Sequence, residues 1–262
     1  MPDLARLLGL LLLVCLSSLA QAERLRLVSD DWAPYIYQEN GQPKGIDYEV
    51  SREVFKRLGI EVDWQFLPWK RCLAMVEQGQ VDGVLDIFQI DTRKTYMIYP
   101  DEPLSNVEFV VFRKRVQRPL ITHLHDLAGL TIGTSPGYAY GAHFNESALF
   151  KREAAPTHEA NFGKLMLGRI DALVTDRQVG RFLRHQLGLL EQVEEQPLLI
   201  SRHAQYLGLA QKPGRQKLAQ AFADELRQFK REPAYAAISA RYAGDAERFD
   251  DAIEQQERGT LR

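Results

Sequence analysis

One short pattern occurs twice, and it restricts the fold of this chain more than any other feature. Gly79-Gln80-Val81-Asp82-Gly83-Val84-Leu85 and Gly168-Arg169-Ile170-Asp171-Ala172-Leu173-Val174 place a glycine, an aspartate and an apolar run in the same order. Glycine at the end of a helix takes positive φ without steric penalty. A short apolar run behind it reads as a strand buried on both faces. Each copy therefore predicts a helix-to-strand junction, and two copies predict two similar α/β lobes rather than one large sheet.

The elements around each copy support this. Arg24-Leu25-Arg26-Leu27-Val28 alternates as a strand does, and Ser29 to Tyr35 is a loop by its Asp and Pro content. Asn40-Gly41 marks a tight turn. Asp47 is placed to cap a helix carrying Val50, Val54, Phe55 and Leu58 on one face, ended by Gly59. Glu61 to Phe66 reads as a second strand, Trp69 to Gln78 as a second helix and Val81 to Ile87 as a third strand. That order implies a mainly parallel sheet flanked by helices. The series restarts with a strand at Leu130 to Gly133, a helix opened by Pro136-Gly137, a helix at Glu159 to Leu167 and a strand at Ile170 to Val174. The apolar strands Glu108 to Phe112 and Tyr206 to Ala210 bracket the second series and predict two crossings between lobes. Lys217 to Lys230 and Tyr235 to Tyr242 read as helices packing back on lobe one. The expected division is 23–113 with 207–244 as lobe one, 114–206 as lobe two, and 245–262 as a charged tail.

The N-terminus constrains location. Arg6 precedes an almost unbroken apolar run from Leu7 to Leu19, and Ala20-Gln21-Ala22 follows. This is the order of a secretory signal peptide, with cleavage expected after Ala22. The run is shorter than the roughly 20 residues that span a bilayer. Of the two cysteines only Cys72 lies beyond the leader, on a predicted helix, where a buried thiol is expected. With 33 basic and 35 acidic residues, the net charge of −2 lacks the basic excess of a nucleic-acid binder.

Several motifs, in order, resemble bacterial extracellular solute-binding proteins of family 3, the polar amino-acid receptors of ABC transporters. Trp32-Ala33-Pro34-Tyr35 and Gly45-Ile46-Asp47-Tyr48-Glu49 resemble that family's aromatic loop and G-[FI]-D-x-[DE] signature. Gly79 to Asp82, Thr92-Arg93 and Tyr99-Pro100-Asp101-Glu102-Pro103 resemble its G-x-x-D, T-x-x-R and F-S-x-P-Y run. Leu127 to Gly133 resembles the start of lobe two, and Gly168 to Asp176 resembles G-x-x-D-A-x-x-x-D. The resemblance implies an α/β, two-lobed periplasmic-binding-protein fold (type II) that closes by hinge bending on a small polar ligand. It implies residence in the periplasm, an ABC permease in the inner membrane as partner, a monomer, no cofactor and no metal.

The same resemblance puts Arg93 on the ligand's carboxylate and Asp176 on its ammonium. A guanidinium fork matches a carboxylate, and the opposed acid accepts from the amine. Trp32, Tyr35, Phe88 and Tyr138 are the expected aromatic walls, and Trp69 is a weaker candidate. Two stretches depart from the family. Asp86-Ile87-Phe88-Gln89-Ile90-Asp91 is one residue short and carries two acids where small or hydroxyl residues are usual. Pro136-Gly137-Tyr138-Ala139-Tyr140 replaces the usual hydroxyls with a tyrosine. Asp86 thus suggests a ligand with an added donor or positive charge, or else a cap or a partner for Arg71, itself a cleft candidate. An enzyme on the same scaffold, dehydratase-like, would need Asp86, Asp176 or His143 as general acid or base. A ligand-sensing module for a membrane partner is the other alternative. His123 and His125 lack a third ligand at metal-site spacing and are expected to be solvated.

Overall fold

The structure is a computed structural model that describes residues 24–115, 119–238 and 240–242. The expected leader over 1–22 and tail over 245–262 lie outside the described residues. Among the described residues no helix is long and apolar enough to cross a membrane.

The first lobe is built from β1 (Arg24–Ser29), the hairpin β2 (Tyr37–Glu39) and β3 (Gln42–Lys44), α1 (Ile46–Arg57), β4 (Glu61–Phe66), α2 (Trp69–Glu77), β5 (Gly83–Phe88), α3 (Asp91–Lys94) and β6 (Met97–Ile98). The long strand β7 (Ser105–Lys114) leads out of it. The second lobe follows with β8 (Thr131–Thr134), α4 (Ala142–Asn145), β9 (Lys151–Ala154), α5 (His158–Met166), β10 (Ala172–Asp176) and α6 (Arg177–Gln186). The chain returns along β11 (Val193–Ala210), and α7 (Arg215–Phe229) packs against the first lobe. A helical segment over 233–238 follows.

The two lobes share one sheet path, β4-β1-β5-β11-β7-β10-β8-β9, with β6 on the side of β11. Pairing is parallel within each lobe, β1 with β4 and β5, and β8 with β9 and β10. The crossings β7 and β11 pair antiparallel with each other from Val193↔Lys114 to Gln205↔Ser105. This joins what the sequence suggests as separate sheets. This two-stranded ribbon is where the chain passes from one lobe to the other and back.

Among the described residues, three apolar clusters hold the fold. Helices α1 and α7 cover one face of the first lobe through Val54, Phe55, Phe222 and Leu226. The other face is covered by α2 through Cys72 and Val76. Phe112, Phe144, Phe162 and Leu165 fill the second lobe, and that cluster runs on into Trp32, Tyr35 and Phe88 across the cleft. Burying such large side chains contributes about 1.5–3 kcal/mol each.

Two local expectations are corrected. Pro136-Gly137 opens no helix, because Gly137 and Gly141 sit at φ of 83° and 97°, which breaks a helical run. The loop is held instead by the Ser135 N–H, which donates to the Tyr140 hydroxyl at 2.7 Å, and α4 begins only at Ala142. Asp47 caps nothing. Gly45 is the N-cap of α1, at φ 123°, and a Cβ there would collide with the Tyr35 carbonyl. Asp47 lies one position inside the helix, buried, accepting from the Ser105 hydroxyl at 2.5 Å.

Candidate ligand-binding cleft

The strand ends of the first lobe and one loop of the second converge on the cleft. The loop after β1 supplies Asp30 and Trp32, α2 opens with Trp69, and β5 supplies Asp86 and Phe88. Short α3 presents Arg93, and the loop before α4 presents Tyr138 and Ala139. These eight residues enclose a cavity of about 10 Å³, room for about one water molecule. Asp30, Trp69 and Tyr138 also line a larger cleft of about 690 Å³ that opens outward past Tyr37, His158 and Phe182. That volume lies within the few hundred to about 1,000 Å³ typical of small-molecule sites.

Arg93 is the cation of the inner cavity, 5 % exposed. Its guanidinium donates to the Phe88 carbonyl at 3.3 Å and, across the cleft, to the Gly137 carbonyl at 3.4 Å. It also stands 5.8 Å from the centre of the Trp69 ring. Burial lowers its pKa, and no described carboxylate offsets that. The Tyr96 hydroxyl also accepts from it, so an aromatic face, two weak carbonyl contacts and this hydroxyl leave about two of its five donors available to an anion.

Three acids of the first lobe meet here. Asp86 reaches the cavity because β5 bulges. Tyr206 pairs with Ile87 but Gly208 pairs with Val84, so β5 has one residue more than β11 over that stretch. The additional residue puts Asp86 at φ 59°, a left-handed conformation that costs a non-glycine residue about 1–2 kcal/mol. Neither Asp86 oxygen has a donor among the described residues, and the indole N–H of Trp32 in the same cavity is also unpartnered. Burial and the facing Asp47 push the Asp86 carboxyl well above the usual carboxylate range. The protonated Asp86 then donates to Asp47, whose own value burial raises to about 6. Asp30, raised to about 7 by burial, accepts from the Tyr138 hydroxyl at 2.9 Å, a bond from one lobe to the other. His158 stands 3.2 Å behind Tyr138, and burial lowers its pKa to about 4.

Asp176 is arranged otherwise. One oxygen accepts from the N–H groups of Gln178 and Val179 at 2.9 and 3.1 Å, which caps α6. The other accepts from the Glu108 N–H at 3.0 Å, and the Tyr35 hydroxyl also bonds this carboxylate. Asp176 and Tyr35 are buried beside the cleft but line neither cavity.

The structure thus gathers Arg93, Trp32, Asp86, Phe88 and Tyr138 around one space, with Tyr35 and Asp176 behind it. Arg71 is not among them. Trp69, Cys72 and Val76 are the inward face of α2, which turns Arg71 to solvent and away from Asp86. His143 is also exposed and lines neither cavity. His123 and Asp126 form the capping box of a short 3₁₀ turn over Leu124–Leu127. Cys72 is buried, its thiol pushed up to about 12 by burial. Asp30, Asp47 and His158 are site residues that the sequence reading passes over. Asp47 lies inside a quoted motif and Asp30 two residues before one, but their burial follows from lobe packing.

Comparisons with known proteins agree with the fold. The chain is 27% identical over 151 residues to the probable amino-acid-binding protein YxeM of Bacillus subtilis (strain 168), covering 56% of each. It is 23% identical over 223 residues to the L-cystine-binding protein TcyJ of Escherichia coli (strain K12), covering 81% of this chain and 79% of that one. Among solved structures, the substrate-binding protein of an amino acid ABC transporter superposes with a TM-score of 0.73 at 19% identity, over 84% of this chain and 98% of that one. The profile of the bacterial extracellular solute-binding proteins, family 3, matches residues 25–245, and the chain belongs to that family.

Proposed function

We propose that this protein is a periplasmic receptor that captures a small polar ligand, an amino acid or a derivative of one, between its lobes and delivers it to an ABC importer. One observation carries the reading. A buried guanidinium and a buried carboxyl, neither paired with the other nor with any described opposite charge, line one small cavity between two lobes. Buried charges are normally paired, and a lone one costs several kcal/mol. A zwitterion entering the cleft supplies both partners. The names of the relatives, which bind amino acids or cystine, support the same chemical class. The inner cavity is too small for such a ligand as it stands, so the lobes part on the β7–β11 ribbon to admit it and close over it.

The reading is tested by thermal shift of residues 23–262 against amino acids, polyamines and organic acids. A ligand that binds only the folded state raises its stability by RT ln(1 + [L]/Kd). One ligand class is expected to raise the melting temperature, and Arg93→Ala is expected to abolish the rise. An undiminished rise in Arg93→Ala would remove the carboxylate role of Arg93. Steady conversion of the bound ligand, followed by mass spectrometry, would replace the receptor reading with an enzymatic one.

A further inference from the structure

We infer that the ligand's ammonium is accepted by Asp86 of the first lobe and not by Asp176 of the second. This rests on the receptor reading above and names the group that recognises the amine. A carboxylate offers about four acceptor positions. Asp176 has them filled by three backbone N–H groups and the Tyr35 hydroxyl. A ligand ammonium could bond it only by displacing one of these, and the first two hold the start of α6. Asp176 also lines neither the inner cavity nor the outer cleft.

Asp86 is the converse case. It is 95 % buried, both its oxygens lack a donor, and it lines the inner cavity together with Arg93. The bulge in β5 is what turns it there. Asp47 beside it already accepts from Ser105 and is held at the base of the crossing strands. Asp86 is therefore the acceptor that a ligand completes. Trp32 and Phe88 line the same cavity, where aromatic rings favour a charged nitrogen.

The consequence is a different order of events from a clamp that divides the two charges between lobes. Arg93 and Asp86 both belong to the first lobe, so the open protein holds both ends of the zwitterion on that lobe alone. Closure of the second lobe then adds the Tyr138–Asp30 bond and excludes water. The ammonium also displaces the proton of Asp86. The titratable and charged groups around it are Asp47, Asp30, Arg93, Tyr35 and Tyr138.

The test is isothermal titration of residues 23–262 and of two variants, Asp86→Asn and Asp176→Asn. The probe is whichever proteinogenic amino acid, L-ornithine or L-cystine gives the largest thermal shift. Asparagine tolerates the left-handed conformation at position 86, so Asp86→Asn should fold. We expect Asp86→Asn to weaken binding at least about tenfold, and more than Asp176→Asn does. Binding by the unaltered protein should release about one proton near neutral pH, read from heats in two buffers, and this measurement needs no variant. Loss of binding in Asp176→Asn with Asp86→Asn unaffected, or binding without proton release, overturns the inference and leaves the receptor standing. If none of these compounds shifts the unaltered protein, the receptor reading for amino acids fails and the inference fails with it.

Discussion

Asp86 and Asp176 are two buried aspartates near the ends of β5 and β10, on either side of one cleft, and they are opposites. Asp176 has a donor for each acceptor position and holds a helix in place. Asp86 has none, sits in a backbone conformation that side chains disfavour, and faces a second acid. Stability alone explains the first arrangement and opposes the second. A group that weakens the ligand-free fold yet points into a cavity is a group kept for a partner.

The comparison breaks if the two residues respond alike. The largest effect is expected from Asp176→Ala, which leaves the first amides of α6 and the Glu108 amide without an acceptor. It should lower stability by about 2–4 kcal/mol in urea unfolding. A loss no larger than that of an exposed substitution would show that the cap carries little.

The pH dependence comes next. Asp30 keeps its proton to about pH 7 in the fold, and Asp47 and Asp176 to about 6, all above the ordinary carboxylate range; Asp86 moves the same way. The folded state therefore binds more protons than the unfolded chain between those limits. Their contribution is fully present below the unfolded carboxylate values and is lost as pH rises through about 6 to 7. His158, lowered to about 4, and His203, also lowered by burial, act oppositely, and their contribution fades as pH falls below about 6.5. Four acids outweigh two histidines, so the melting temperature without ligand should rise on going from about pH 7.5 to about pH 5. A maximum near neutral pH would mean that the acids are ionised in the fold.

A smaller change is expected at the bond between lobes. Tyr138→Phe removes the donor to Asp30 and should reduce stability by about 1 kcal/mol. It should also speed ligand release, read by stopped-flow fluorescence of the tryptophans. An unchanged release rate would detach this bond from closure.

Much of the fold is legible in the sequence because it depends on local period and punctuation. Val84-Leu85 and Leu173-Val174 lie on β5 and β10 as their preceding glycines suggest. Arg93, Trp32 and Tyr138 are found at the cleft because motif order carries them there. What is not legible depends on distant partners. The bulge at Asp86 exists only against β11, more than a hundred residues later in the chain. Asp47 reads as a cap until Gly45 is seen pressed on the Tyr35 carbonyl, which leaves the cap position to glycine. Asp30 reads as a loop acid until Tyr138 of the other lobe covers it. The stretch after Pro136 looks like a helix start because proline favours one, and two glycines at positive φ undo it.

The central claim is that Asp86 receives no hydrogen bond from any described donor, and meets only a second acid, so that a ligand can provide the donor. Urea unfolding of Asp86→Asn, with and without the bound amino acid, tests it most directly. Without ligand, Asp86→Asn should be as stable as the unaltered protein, within about 1 kcal/mol, or more stable. With ligand, it should gain much less than the unaltered protein does. A variant that is several kcal/mol less stable without ligand, yet gains the full ligand stabilisation, would show that Asp86 serves the fold and not the site.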